Sequence, residues 1–272
     1  MPCMKTQLLI LLIAMPGFSA GQDYSNGKNF IDTQTYTAEE NAEILALYDG
    51  LRVADVSDGM DKAGLLDVGL VDPAIHPDWQ DFEDLSHQFR GIAVTARYVP
   101  TQRVVHPKDG EDYLAWEGHW YGNYSFEPWT DLLFPGSVVV IDDVEESDIG
   151  SIGSNNILAW KKRGAVGVVT DAAARDTDEI AKQKVPLYLR KKGRGVRPGR
   201  NEIESVNRPV TIGGVLVMPG DVVVADGDGV IVVPRAVAKE VALHARGILD
   251  KDKAARRKAY ESLGMKLDQT VK

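Results

Sequence analysis

The chain has 272 residues, 44% of them hydrophobic and 26% charged, with a formal net charge of −9. That length supports one large domain or two small ones, each able to bury a full core, and the acidic balance argues against generic nucleic-acid binding. Its one cysteine, Cys3, excludes a disulfide framework, a cysteine-based zinc site and a thiol nucleophile in the body of the protein.

At the N-terminus Lys5 precedes an apolar run over residues 8–15, followed by Pro16, Gly17, Phe18, Ser19 and Ala20. A charged start, a short apolar stretch and small residues near a cut site describe a secretory leader of about residues 1–20. Cleavage follows Ser19 or Ala20, the run is too short to span a bilayer, and the alternative is a buried N-terminal helix. The leader implies an exported protein, periplasmic or secreted, with no membrane anchor after its removal. Residues 21–36 are polar and read as an arm or linker.

Thr37-Ala-Glu-Glu40 is a capping box that opens a helix through about Leu51, with Ile44, Leu45, Leu47 and Tyr48 on its apolar side. Residues 53–64 predict a second short helix that starts at Ser57 and ends at Gly64. Residues 91–99 predict a strand. Residues 101–134 are a polar and aromatic excursion holding His106, Trp116, Glu117, His119, Trp120, Tyr121, Tyr124 and Trp129. An excursion of this length either contacts substrate or forms a lid or subunit contact packed by its own aromatic residues.

Phe134-Pro-Gly and Met218-Pro-Gly each predict a type II turn followed by a β-branched strand. The second strand ends at Asp226-Gly-Asp-Gly229, which reads as a hairpin tip; a calcium loop is disfavoured because the rest of that motif is missing. From Pro234 a long helix carries Val237, Val241, Ala245, Ile248 and Leu249 near one face. Its many charges suit either packing on a neighbouring subunit or a solvated face. Six positive charges in residues 190–200 suit RNA, an acidic surface or a solvated loop, and the lack of interleaved aromatics favours the loop.

The richest stretch is residues 150–176. Ser154 or Asn155 is a natural N-cap, Ile157, Leu158 and Trp160 give an apolar side, and Gly164 ends that helix. A buried strand follows from Ala165 to Val169 and stops at Thr170-Asp171, with Arg175 and Asp176 just before a helix at Thr177. Arg175 and Asp176 are either a surface pair at a helix start or a site at a strand's carboxyl end. In the second case the guanidinium grips a carboxylate and the carboxylate holds a divalent cation. Free N–H groups at the first helix's mouth suit the same anion.

The order Gly-x-x-Gly-Val-Val-Thr-Asp-x-x-x-Arg-Asp over residues 164–176 precedes Gly-Gly-Val-x-Val-x-Pro-Gly-Asp-Val-Val-Val-Ala-Asp over residues 213–226. Together they resemble the superfamily of class II 4-hydroxy-4-methyl-2-oxoglutarate/4-carboxy-4-hydroxy-2-oxoadipate aldolases and the regulator of ribonuclease activity A. The likeness covers roughly residues 40–250. It implies an α/β fold, an α/β/β/α sandwich with swivelling topology, as a single domain over residues 37–235. The helical region 236–272 would then lie between subunits of a homotrimer or hexamer. It further implies Arg175 and Asp176 as catalytic residues and Arg175, Gly153, Ser154, Asn155 and Asn156 as the substrate cradle. Asp176 would be the ligand of Mg²⁺ or Mn²⁺.

The chain departs from the aldolase pattern at Ser154, where the aldolases carry an Asp that helps activate the water removing the substrate's hydroxyl proton. Serine is no base at neutral pH without activation. Asp171, His119 or a group from a neighbouring subunit are the alternative bases. The resemblance therefore implies a divalent-metal-dependent lyase on a 2-oxo acid, working by retro-aldol cleavage or oxaloacetate-type decarboxylation through a metal-stabilised pyruvate enolate. The other readings are a non-enzymatic regulator or binding protein of the same family, and a dehydratase-like enzyme using the same anion pocket.

Overall fold

Runs of β-branched residues make the strands, because such side chains suit a pleated surface buried on both faces. The computed structural model describes residues 23–105, 112–144 and 148–272. The expected leader and His106 lie outside the described residues. In chain order the elements are α1 (Ala38–Tyr48), α2 (Val53–Lys62), β1 (His76–Pro77), β2 (Phe89–Pro100), α3 (Tyr113–Asn123), β3 (Ser137–Asp142), β4 (Gly150–Ile152), α4 (Ser154–Lys162), β5 (Ala165–Ala174), α5 (Thr177–Lys182), β6 (Leu187–Lys192), β7 (Asn201–Val206), β8 (Val210–Ile212), β9 (Val215–Val217), β10 (Val222–Asp226), β11 (Gly229–Val233) and α6 (Ala238–Leu263). Short 3-10 turns lie at Pro128–Leu132 and Arg235–Val237. No described helix is long and apolar enough to cross a membrane.

Residues 33–272 form one unit. Its main sheet runs β1-β6-β5-β3-β2-β10-β11, with β4 added to β5 and β7 to β2. The strands β2, β3, β5 and β6 are parallel, β10 pairs antiparallel with β2, and β11 pairs antiparallel with β10. Helices α4 and α5 precede and follow β5, as parallel neighbours require crossovers. Side chains then alternate between two faces. Val138, Val140, Val169 and Tyr188 point inward to meet Phe89, Val223 and Val232, while the β8–β9 hairpin adds Val210, Ile212 and Val217. Val139, Ile141 and Val168 point outward onto Ile157 and Trp160 of α4 and Ile180 of α5. On the far side Val222, Val224 and Ile231 pack on Tyr48, Leu51, Val56, Val241 and Ala245. Helices thus cover both outer faces of a curled sheet, which is the expected α/β/β/α sandwich. Each fully buried aliphatic side chain stabilises this arrangement by roughly 1.5–3 kcal/mol.

Several local readings need adjustment. Helix α2 starts at Val53 rather than Ser57, because two carboxylates satisfy its first N–H groups. Asp55 accepts from Arg52 N at 3.1 Å, and Asp226 accepts from Val53 N at 2.8 Å. The other Asp226 oxygen accepts from Asp228 N at 2.9 Å inside the β10–β11 hairpin, so this aspartate caps and shapes the chain. Both Pro-Gly turns form, with Gly136 at φ +95° and Gly220 at φ +93°, the left-handed conformation that a type II turn needs at its third residue. The described part of the 101–134 excursion is not an open loop. It folds as α3 and a 3-10 turn, with Trp120 packed 5.9 Å from Trp116 and 5.0 Å from Tyr124 between ring centroids.

The basic stretch over residues 190–200 also departs from the solvated-loop reading. Arg190 pairs with Asp72 at 2.9 Å and Arg194 with Asp148 at 2.5 Å. Arg197 is only 2% exposed and pairs with Glu127 at 2.7 Å. Removing one partner of a buried pair leaves an uncompensated charge and costs roughly 3–5 kcal/mol. Glu127→Ala is therefore expected to lower the unfolding free energy by about that amount in chemical denaturation. A loss within the range of an exposed pair, under about 1 kcal/mol, would contradict the assignment.

Burial pushes the Asp221 carboxyl up to about 6, against the backbone N–H groups of Met218 and Arg235 that favour its ionised form. An acid raised in the folded state holds its proton more tightly there than in the unfolded chain. Its stabilising contribution is present below the unfolded value of 3.8 and is lost as pH rises to about 6. Asp221→Asn removes that dependence. The melting-temperature difference, variant minus parent, is expected to grow from pH 4 to pH 6.5 and then level off; a flat difference would refute it.

Candidate active site

Arg175 follows directly on β5 and is held by the neighbouring strand. Its backbone N–H donates to Ile152 O at 2.8 Å. A Cβ on Gly150 would stand 2.6 Å from Arg175 Cβ, so only glycine lets β4 pass this close. The guanidinium is half-buried; among the described residues no carboxylate pairs with it, and Asp176 is its neighbour in the chain.

Asp176 occupies the N-cap of α5 at φ +58° and ψ +35°, a left-handed conformation costly for a residue with a Cβ. An N-cap aspartate normally turns its carboxylate onto its own helix. This one makes no such bond and turns to the mouth of α4. There Oδ2 accepts from Ser154 N at 3.2 Å and from Ser154 Oγ at 3.4 Å. Gly153 leaves room for it, since a Cβ there would lie 3.0 Å from Asp176 Oδ2 and 3.7 Å from Arg175 Nε. The pair Arg175-Asp176 and the loop at Gly153 are therefore in mutual contact distance.

Gly153, not Ser154 or Asn155, is the N-cap of α4, and Ser154 is its first helical residue. The reason is Asp176, which takes the Ser154 side chain outward and supplies a capping carboxylate from another element. The N–H groups of Asn155 and Asn156 have no acceptor among the described residues, leaving two donors open at the helix mouth. Asn155 is exposed, whereas the Asn156 side chain is tied inward to Glu127 Oε1 at 2.8 Å.

Behind this mouth lies a polar network that motif reading missed. Glu127 also accepts from Trp160 Nε1 at 2.9 Å, and Arg197 Nε donates to Ser151 O at 2.8 Å. The Arg197 guanidinium lies 5.0 Å from the Tyr98 ring centroid. Tyr121 of α3 joins the edge of this group. Burial pushes its phenol up, opposed by the nearby Arg197 and Arg175 guanidiniums. Part of the aromatic excursion therefore reaches the field of Arg175. Its only signal in the sequence was aromatic density, which did not single out Tyr121.

Of the alternative bases, neither Asp171 nor His119 hydrogen-bonds Asp176. Asp171 lines a separate polar recess with Arg97, Asp142 and Arg190. His119 is exposed on α3, with Asn123 Nδ2 3.1 Å from its Nδ1 and the Tyr124 ring edge-on at 5.7 Å. No cluster of three or more His, Cys, Asp or Glu side chains arranged for a metal occurs among the described residues.

A family model described as RraA-like, Aldolase/RraA, matches residues 53–232. Over 124 residues the chain is 32% identical to the "Putative 4-hydroxy-4-methyl-2-oxoglutarate aldolase" of Halalkalibacterium halodurans, covering 45% of this chain and 58% of that protein. It is 28% identical over 190 residues to Protein DlpA of Legionella pneumophila, covering 69% of this chain and 27% of that one. The chain thus spans well under two thirds of the length of these curated relatives. Among solved structures, an uncharacterized protein from Pseudomonas syringae pv. tomato superposes with a TM-score of 0.60 at 27% identity, over 84% of this chain and 96% of that chain. Streptomyces coelicolor RraAS2, described as an unusual member of the RNase ES inhibitor RraA family, superposes with a TM-score of 0.63 at 22% identity. That match covers 80% of this chain and 98% of that chain, and it speaks for the fold alone. The matched residues 53–232 hold both sheet halves and the whole Gly153–Asp176 mouth, and the chain belongs to the RraA-like family.

Proposed function

We propose that the protein is a divalent-metal-dependent carbon–carbon lyase that acts on a small 2-oxo acid. The observation that carries this reading is the convergence, at one helix mouth, of an arginine that pairs with no described carboxylate, two N–H donors with no described acceptor and an exposed carboxylate. Arg175 binds the substrate carboxylate through paired hydrogen bonds, and the N–H groups of Asn155 and Asn156 orient it. Asp176 would hold Mg²⁺ or Mn²⁺. A single carboxylate beside a glycine fits a small hard cation that keeps much of its water and takes further oxygens from substrate. When bound, the cation supplies Lewis-acid polarisation of the substrate oxygens.

Arg175 also stabilises the negative charge that develops on the oxo-acid fragment as the carbon–carbon bond breaks. In decarboxylation of a β-keto acid that charge is the whole demand, and no base is needed. Retro-aldol cleavage additionally requires removal of a hydroxyl proton, and Ser154 offers a hydroxyl where the aldolases offer a carboxylate. Tyr121, whose phenol burial pushes above its ordinary value, stays protonated near neutral pH and supplies no base. The residues in hand therefore favour decarboxylation over aldol cleavage.

The assembly we propose is a homotrimer or hexamer. Its support is the second half of α6, where Leu263 and, just beyond, Met265 are 72% and 49% exposed. Residues 1–20 support an exported location. With the purified protein, pyruvate release from oxaloacetate and from a panel of 4-hydroxy-2-oxo acids is measured with Mg²⁺ or Mn²⁺ and again with EDTA. The expected result is metal-dependent release from oxaloacetate, slowed about 10²-fold or more by Arg175→Ala and by Asp176→Ala. Failure of every substrate with metal present would sink the lyase reading and leave a binding role for the same mouth.

A further inference from the structure

A recess of about 530 Å³ lies between the turn after α1, the segment before β2, and α6 with the C-terminal tail. It is far from Arg175. Arg90 lies at the start of β2, whose Ile92 stands beside Ser137 of β3, itself beside Ala165 at the start of β5. Arg175 follows the far end of the ten-residue β5. At ~3.3 Å per strand residue the two arginines sit about 30 Å apart along the sheet.

The recess is lined by four cations, Arg52, Arg90, Lys253 and Arg256, and a single carboxylate, Asp84. Arg52 is neutralised by Asp55 at 2.5 Å and Asp252 at 3.4 Å. Arg256 lies 3.7 Å from Asp252 and donates to Thr270 O at 3.4 Å, and Lys253 donates to O of the C-terminal Lys272 at 3.5 Å. Arg90 differs from these. It donates to Leu51 O and to Gln88 Oε1, but it forms no ion pair with any described residue. Burial disfavours its charge, an effect that the more distant carboxylates of Asp226, Asp49 and Asp55 offset only in part, and an arginine does not shed its proton in a protein. A desolvated guanidinium of this kind is relieved by an anion from outside.

The remaining walls suit an organic ligand. Leu85 and Leu249 give apolar surface. The tail turns back after Gly264, at φ +67°, and buries Val271 to 2% exposure. It is pinned by Gln269 Nε2 donating to Glu83 O at 2.8 Å, so Thr270 and Gln269 stand as one wall.

We propose that this recess is a second binding site, for a small organic polyanion such as a phosphate ester or a polycarboxylate. Arg90 anchors one oxyanion group, Arg256 and Lys253 flank it, and the two leucines take the carbon skeleton. The proposal does not depend on the lyase reading.

Isothermal titration calorimetry of the full chain at low salt tests it with three probes: inorganic phosphate, phenyl phosphate and citrate. Saturable binding of phenyl phosphate or citrate with a Kd below about 1 mM is expected, tighter than for phosphate, and the stronger of the two identifies the anion class. Arg90→Gln and Arg256→Gln are expected to weaken it about tenfold or more, and Arg175→Ala to leave it unchanged. If Arg90→Gln does not fold, Arg256→Gln and Lys253→Gln, both near the surface, carry the test. Absence of saturable heat with all three probes would overturn the proposal. So would binding that survives Arg256→Gln and Lys253→Gln but disappears in Arg175→Ala.

Discussion

A guanidinium that is 2% exposed must be both neutralised and hydrogen-bonded, and the way Arg197 meets that demand organises the ground beneath the candidate site. Its charge is met by Glu127, and Glu127 in turn takes hydrogen bonds from Asn156 and Trp160, on successive turns of α4. Arg197 also reaches Ser151 O in β4, the strand that carries Gly150 past Arg175. One buried pair thus fixes the pitch of the helix whose open N–H groups face the site and the strand that presses on the arginine. The Trp129 and Trp160 rings, 4.8 Å apart between centroids, exclude water from the same region.

A buried ion pair is weak support for net stability, because desolvating two charges offsets much of their attraction. Its value here is orientation. Asn156, Trp160 and Arg197 can satisfy Glu127 together in only a narrow range of helix positions, so the first turn of α4 is held to a small tolerance. A second network has the same character: Asp143 accepts from Asn201 Nδ2 at 2.8 Å and from Ser151 Oγ, while Asn201 Oδ1 accepts from Ser125 Oγ at 2.7 Å. Both networks meet at Ser151. A further set of buried carboxylates, Asp55, Asp221 and Asp226, lies around β10 and caps neighbouring backbone N–H groups.

How much of this was legible in the sequence depended on range. The capping box at Thr37, the two Pro-Gly turns and the start of the strand after Gly164 are local patterns and formed as read, although that strand runs on past Asp171 to Ala174 by pairing with β4 and β6. So did the helices on either side of β5. What failed was decided by partners distant in sequence. Helix α2 begins four residues earlier than Ser57 because Asp226, 173 positions away, caps Val53. Arg197 reads as one more charge in a basic run, and nothing nearby reveals that Glu127 waits 70 positions upstream. Arg175 and Asp176 were visible as a pair. That Asp176 would leave its own helix to cap α4 was not, since periodicity carries no sign of a left-handed backbone.

Ser154, at the position where the resemblance to the aldolases implies a carboxylate, bears on the electrostatics of the mouth as well as its basicity. A second carboxylate beside Asp176 would repel it, and two close acids cannot both remain ionised at low cost. Such a pair makes a proton acceptor, which is what cleavage of a tertiary alcohol demands. Ser154 instead donates to Asp176 through both its N–H and its hydroxyl, so the two residues attract. The mouth then carries one carboxylate beside Arg175 rather than two, so less negative charge opposes a dicarboxylate substrate. On the proposed reading, a site of this kind gives up proton abstraction and keeps anion binding. That combination suits a substrate whose bond breaks once its enolate is stabilised, and it is the physical reason to place decarboxylation ahead of aldol cleavage.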